Sequence, residues 1–182
     1  EFKLSKSGLL TTITCTTKNS INYAFEGSVF IGGAAIQWLR DSLKIIKKAS
    51  ETEDISKEID DLNNLYMVPS FSGLGAPYWD MYSRGAIFGL TRDTGNKEII
   101  KATLESLAYQ SKDVIDVMIK DSNVNLNGLK VDGGASMNNY LMQFQSNLLN
   151  CNVIRPKIIE TTAMGVGYLA GIKSSLWDKD KI

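Results

Sequence analysis

Histidine is absent from the chain of 182 residues, which excludes a Ser-His-Asp triad, a Cys-His pair and a histidine metal site. Cysteine is almost absent: Cys15 and Cys151 stand far apart with no C-x-x-C pair, which argues against a disulfide frame or zinc and for a reducing compartment. Neither sign of charge is in excess, with 20 Lys and Arg against 20 Asp and Glu. A neutral chain has no long-range field to recruit nucleic acid or an anionic membrane, so neither is expected as a partner. No apolar run approaches the ~20 residues that a bilayer requires and there is no signal peptide, so the sequence reads as cytoplasmic. The first residue is Glu1 rather than methionine, from which we expect a piece of a longer protein.

What is present is ordinary globular composition, long enough to bury roughly 70% of the unfolded surface in a real core. The runs GLLTTITCTT and INYAFEG are rich in β-formers and flank Lys18-Asn19-Ser20, which reads as a hairpin. From Ser28, a plausible N-cap, the spacing of Ile36, Leu39, Leu43 and Ile46 predicts one helix through Lys48. The mixed-sign stretch KKASETEDISKEIDDLNN reads as a turn and a solvated helix. Between two short strands, Phe71, Tyr78 and Trp79 lie in a long loop that either packs as a plug or lines a site, and burial statistics favour the plug. The strongest helix is GNKEIIKATLESLAYQSKDVIDVMIKDSN, whose apolar face runs through Ile100, Leu104, Leu107, Ala108, Ser111, Ile115 and Met118. GLKVD and NVIRP read as strands around a helix carrying Leu141, Phe144 and Leu148, and a last helix follows. Strands alternating with helices indicate an α/β fold.

VDGGASMNN carries the most chemistry. Two glycines at the carboxyl end of a strand let the backbone turn sharply and let a ligand reach its N–H groups, and a helix starting near Ser136 would aim its dipole at the same place. Asn138 then falls in the first turn, its amide able to face the pocket. A plain strand-to-helix turn with Asp132 capping its own backbone fits the same letters. GVGYLA, from Gly165, matches a dinucleotide fingerprint by letter, but it lies inside a helix; Ala163, Gly167 and Gly171 read better as a stripe for close packing. No G-x-x-x-x-G-K-[ST] occurs, which excludes a P-loop enzyme.

GAIFGLTRDTGNKEIIKATLE, Gly85 to Glu105, resembles the carboxy-terminal signature of the FGGY carbohydrate kinases at every constrained position. YAFEGSVFIGGAAIQWLRD, SFSGLGAPYWD, ATLESLAYQ and VDGGASMNN are similar, within that family, to the members acting on glycerol. The resemblance runs from Gly8 to about Trp177.

It implies an α/β lobe of the actin-like ATPase, ribonuclease-H-like type, a mixed sheet flanked by helices, with residues 1–182 forming the C-terminal, nucleotide-binding lobe. The N-terminal substrate lobe, with the polyol site and the aspartate that takes the hydroxyl proton, is expected to be absent from this chain, as are the family's last strand and tail. No catalytic residue and no metal ligand is therefore expected here; Asp132 is read as a loop-holding acceptor and Asp80 as the end of the aromatic loop. The implied cofactors are ATP or ADP and Mg²⁺. The implied activity of the intact enzyme is transfer of the γ-phosphoryl of MgATP to a terminal hydroxyl of glycerol, with the lobe inactive alone. Implied partners are the adenine nucleotide, glycerol through the other lobe, and further copies in a homo-oligomer at full length. By analogy with the family, Gly33, Gln37, Gly134 and Asn138 border the adenosine, and Gly133 and Ala135 lie close to the α-phosphate. Physical reading agrees for Gly33: inside a helix, glycine costs about 1 kcal/mol relative to alanine, which a ring lying on the bare turn would offset. Another sugar or polyol kinase of the family, or a non-catalytic actin-like nucleotide module, remains the alternative.

Overall fold

The helix α3, Asn96–Ser122, is the spine of the structure, a computed structural model that describes residues 2–14, 21–62 and 64–178. Its start is fixed by Glu98, whose side chain accepts the N–H of Gly95 at 2.8 Å, and its end by Asn123 in the left-handed conformation at φ 59. The expected face is buried at Ile100, Leu104, Leu107, Ala108 and Ile115, while Ser111 and Met118 are half-buried.

Along this spine the other elements sit in sequence. Near its carboxyl half pack β1, Leu10–Ile13, and β2, Tyr23–Glu26, an antiparallel pair in which Leu10 faces Glu26; Leu9 and Phe25 meet Val114 there. The Asp121 carboxylate pins the chain before β1 by accepting from the Ser5 and Ser7 hydroxyls at 2.5 and 2.7 Å. Cys15 and the expected turn Lys18-Asn19-Ser20 lie outside the described residues. At the amino half of α3 lies the antiparallel pair β3, Tyr66–Val68, and β4, Ala86–Phe88, with Met67 opposite Ile87 and Leu65 buried on Ala102. The third pair, β5, Leu129–Lys130, and β6, Val153–Ile154, is parallel. Both pairings of a mixed sheet thus occur, as three separate two-stranded pieces among the described residues. No helix among those residues is long and apolar enough to cross a membrane.

The central core is formed by α1, Gly33–Asp41, by α3 and by α4, Asn139–Leu149, through Ala35, Ile36, Leu39, Leu104 and Leu141. α1 is shorter than its periodicity predicts. Its amino end is delayed because the preceding segment is held elsewhere: the Ser28 carbonyl accepts the Ala76 N–H at 2.9 Å and the Ile31 carbonyl accepts the Gln110 amide. Two glycines then offer little helix propensity, and Gly32 rather than Ser28 is the cap. At the far end Lys44 takes φ 58, so Leu43 is exposed while Ile46 returns to the core from outside the helix. In the last helix, α5, Thr161–Lys173, Gly171 lies against the Trp177 ring while Ala163 and Gly167 are exposed, so among the described residues the expected small-residue stripe is not packed along its length.

The expected plug forms only in part: Phe71 packs on Trp38 at 5.0 Å between ring centroids, whereas Trp79 and Tyr78 are exposed and held at the surface, the Trp79 indole N–H donating to the Gly8 carbonyl at 2.6 Å and the Tyr78 hydroxyl to Asp113 at 3.0 Å. Asp80 ends the loop as expected, accepting from the N–H groups of Tyr82 and Ser83 and from the Ser83 hydroxyl.

Sequence periodicity puts Leu39 and Leu43 on one face, but the fold buries the first completely and leaves the second 40% exposed. Leu39→Ala should cost about 2–5 kcal/mol, and Leu43→Ala less than about 0.5 kcal/mol, measured by urea unfolding. Equal losses would mean that the helix continues past Asp41.

Candidate functional site

Gly33 opens α1 instead of interrupting it, so the expected mid-helix penalty does not apply. What it supplies is space: a Cβ built at Gly33 would meet no atom within 4 Å, and the same holds at Gly134. Gln37 follows one turn later on the same face, with its amide exposed.

Facing them is the segment that ends β5. The Thr161 hydroxyl bonds to the Asp132 carboxylate, which makes Asp132 the loop-holding acceptor that its position suggested. Gly133 takes φ 75, a left-handed conformation that favours glycine, and its N–H donates to the Ile159 carbonyl at 2.9 Å. A short 3-10 turn over Gly134–Met137 comes next, pinned by the Ser136 hydroxyl on the Gly133 carbonyl at 2.7 Å and by Arg155 on the Ser136 carbonyl at 2.6 Å.

α4 therefore begins at Asn139, later than the Ser136 start that the sequence suggested, and Asn138 is its cap rather than a residue of its first turn. The Asn138 side chain is engaged at both ends. Its Oδ1 accepts the Leu141 N–H at 2.9 Å and its Nδ2 donates to the Thr52 hydroxyl oxygen at 3.1 Å. The Asn139 N–H donates to the Glu53 carboxylate at 2.8 Å, so the protein's own anion occupies the amino end of α4. Among the described residues of this segment, the N–H groups of Gly134 and Ala135 start the 3-10 turn and have no partner within it.

Glu53 and Thr52 belong to α2, Glu51–Lys57, within the charged stretch expected to be a solvated face. That expectation is corrected: Thr52 and Ser56 are buried, and the helix closes a third side of the same space. The signal was the pair of short polar residues four apart among long charged ones, which lets one face of a polar helix come close to a neighbour. Together the three segments enclose a cavity of about 350 Å³. Gly33, Gln37, Gly134, Ala135, Asn138, Thr52 and Glu53 line it, over a floor of Ile36, Leu104, Leu107 and Leu141 that periodicity assigned to the core alone. Gly133 shapes the turn but is not part of the wall. Arg40 also lines the cavity, its guanidinium forked onto Asp41 at 2.7 and 2.8 Å. Phe71, Tyr78 and Trp79 are not part of it.

The hydrogen bond from Lys57, then that from the Asn139 backbone, holds the Glu53 carboxyl down from an ordinary 4.5 to about 2. A lowered folded value means that the unfolded chain takes up the proton first, so the contribution is complete above 4.5 and lost as pH falls toward 2. Glu53→Gln should lose on the order of 1 kcal/mol at neutral pH, the scale of a partly exposed charged contact. Denaturant titrations across pH should show the difference from the wild-type chain vanishing at the acid end; a constant difference would mean that Glu53 does not hold α2 to α4 by its charge.

Residues 1–174 match the FGGY family of carbohydrate kinases, C-terminal domain. The glycerol kinase of Alkaliphilus oremlandii is 55% identical over 183 residues, covering 100% of this chain and 36% of that protein. That of Natranaerobius thermophilus is 58% identical over 176 residues, 97% of this chain and 35% of its own length. The chain thus spans a little over a third of the length of these relatives. Among solved structures, the glycerol kinase of Plasmodium falciparum with ADP superposes with a TM-score of 0.85 at 35% identity, over 96% of this chain and 35% of that one. A xylulose kinase from Lactobacillus acidophilus gives 0.81 at 23% identity, over 98% of this chain and 36% of its own, a likeness of fold. An actin-like lobe matched to that family's carboxy-terminal domain over residues 1–174, nearly its whole length, belongs to the FGGY family of carbohydrate kinases, as a C-terminal domain of that family.

Proposed function

We propose that this lobe binds the adenine nucleotide of an ATP:glycerol phosphotransferase, in the cytoplasm, and that the polyol site and the proton-accepting aspartate lie on a lobe outside these 182 residues. One observation carries the reading: two stretches of uncovered backbone, at Gly33 and at Gly134, face a common cavity above a leucine floor. A purine is flat, apolar on its faces and polar at its edge. The leucines suit its faces, Gln37 its edge, and the open amides of Gly134 and Ala135 an α-phosphate oxygen. Gly133 keeps the turn in its left-handed conformation, and Asn138 acts as the strut that holds the wall rather than as a hand on the base. The ADP in the Plasmodium relative supports the same choice of ligand.

Among the described residues no group of three or more His, Cys, Asp or Glu side chains could hold a metal ion. Mg²⁺ fits this lobe only as a companion of the nucleotide, held by phosphate oxygens and water, where it neutralises phosphate charge. The lobe's own part in phosphoryl transfer is positioning: it fixes the nucleotide's base and α-phosphate so that the terminal phosphoryl projects toward an acceptor.

Gly134→Val should weaken ADP binding about tenfold or more, the cost of overpacking a fitted site, whereas Lys47→Ala on the exposed surface should leave it unchanged. Calorimetry of the chain with ADP reads both, and equal effects would refute the assignment. The chain alone should show no glycerol phosphorylation in a coupled assay. Turnover would mean that the proton acceptor is on this lobe.

A further inference from the structure

Arg155 stands just past β6, between two backbone bonds that fix its place: the Ile154 carbonyl accepts the Val131 N–H at 3.0 Å, and the Ile159 carbonyl accepts the Gly133 N–H at 2.9 Å. From there its guanidinium forks. Nη1 donates to the Ser136 carbonyl at 2.6 Å and Nη2 to Asn139 Oδ1 at 3.1 Å.

The Ser136 carbonyl lies where one backbone element passes into the next. In a continuing 3-10 turn it would accept the N–H three residues on, that of Asn139. That donor goes to the Glu53 carboxylate instead, at 2.8 Å. A cation thus takes the acceptor, and an anion the donor, of one missing backbone bond. The Asn139 side chain joins the two, its Oδ1 on Arg155 and its Nδ2 on Glu53 at 3.1 Å. The break shows in Asn138, which is extended at ψ 107 where a helix needs a negative value.

We infer that Arg155 is a positioning residue for the nucleotide's α-phosphate, because it holds the break between the Gly134 turn and α4. This rests on the nucleotide reading of the cavity, whose wall includes Gly134 and Ala135 but not Arg155. Ser136 is 2% exposed, and a buried carbonyl stripped of its donor must find another. The Asn139 N–H is close by in the chain. Taking it would run the turn into α4 and swing the Gly134 and Ala135 amides away from the phosphate. One planar group that spans a backbone carbonyl and a side-chain carbonyl requires arginine, since an ammonium cannot make the same fork. Arg155 itself is exposed, so replacing it opens no hole in the core.

Calorimetry of the chain with AMP and with adenosine, which differ by the α-phosphate alone, tests it at low salt and at about 1 M salt, where screening acts within roughly 3 Å. Arg155→Met should raise the AMP dissociation constant about tenfold, as loss of a charged donor to a buried group does, and leave that of adenosine within about twofold. The difference should persist at high salt. Arg155→Lys, which keeps the charge but not the fork, should lose part of the same preference. Folding of each variant is checked by its amide spectrum. The inference is overturned by an unchanged preference for AMP over adenosine in folded Arg155→Met, or in Arg155→Lys should the first variant not fold. Equal losses for both ligands overturn it too, as does failure of both variants to fold, because Arg155 then only stabilises the lobe. A loss that vanishes at high salt overturns it as well, since the charge then acts on the phosphate directly. If the wild-type chain binds neither ligand, the nucleotide reading itself fails and this inference with it; if it binds both equally, only the α-phosphate assignment and this inference fail.

Discussion

Leu104 and Leu107 are core residues and cavity floor at once, and the rest of the structure depends on that double use. Because α3 is buried along this stripe, α1 and α4 must dock against it, and their docking brings Gly33 and Gly134 to either side of one space. The cavity is thus the unfilled end of the hydrophobic core. Burial of apolar surface has no direction of its own, so the long spine with its fixed side-chain rows supplies the geometry that places the polar rim.

The rim is set by a small polar joint. Asn138 caps α4 and at the same time takes Thr52 of α2, while the Glu53 carboxylate takes the first N–H of α4. A helix terminus leaves donors that must find partners, and here the partners come from a neighbouring helix, so capping α4 and fixing the cavity's third wall are one event. The consequence is chemical: an anion entering the cavity finds the dipole of α4 already answered, and the open amides are those of the Gly134 turn.

Much of this was legible in the residues. The α3 stripe and the strand-to-helix turn at Asp132 and Gly133 rest on local periodicity or on the special backbone of glycine, which are properties of a few adjacent residues, whereas Gly33 and Gln37 were singled out by the family resemblance. Two elements were not legible for the opposite reason. α1 loses its first turn because Ser28 and Ile31 give their carbonyls to Ala76 and Gln110, partners distant in sequence. α2 looks solvated by charge count, yet it buries Ser56 and also Thr52, whose hydroxyl accepts from the Asn138 cap of α4.

By itself the sequence determined the class of fold, the long amphipathic helix and the positions where backbone is left bare, since each follows from side-chain spacing or from a missing Cβ. Only the tertiary structure decided where the helices begin, which donors at their ends remain open, and that the charged segment walls the cavity. Those outcomes depend on which distant group satisfies a given N–H or carbonyl, and such a pairing exists only once the chain has folded.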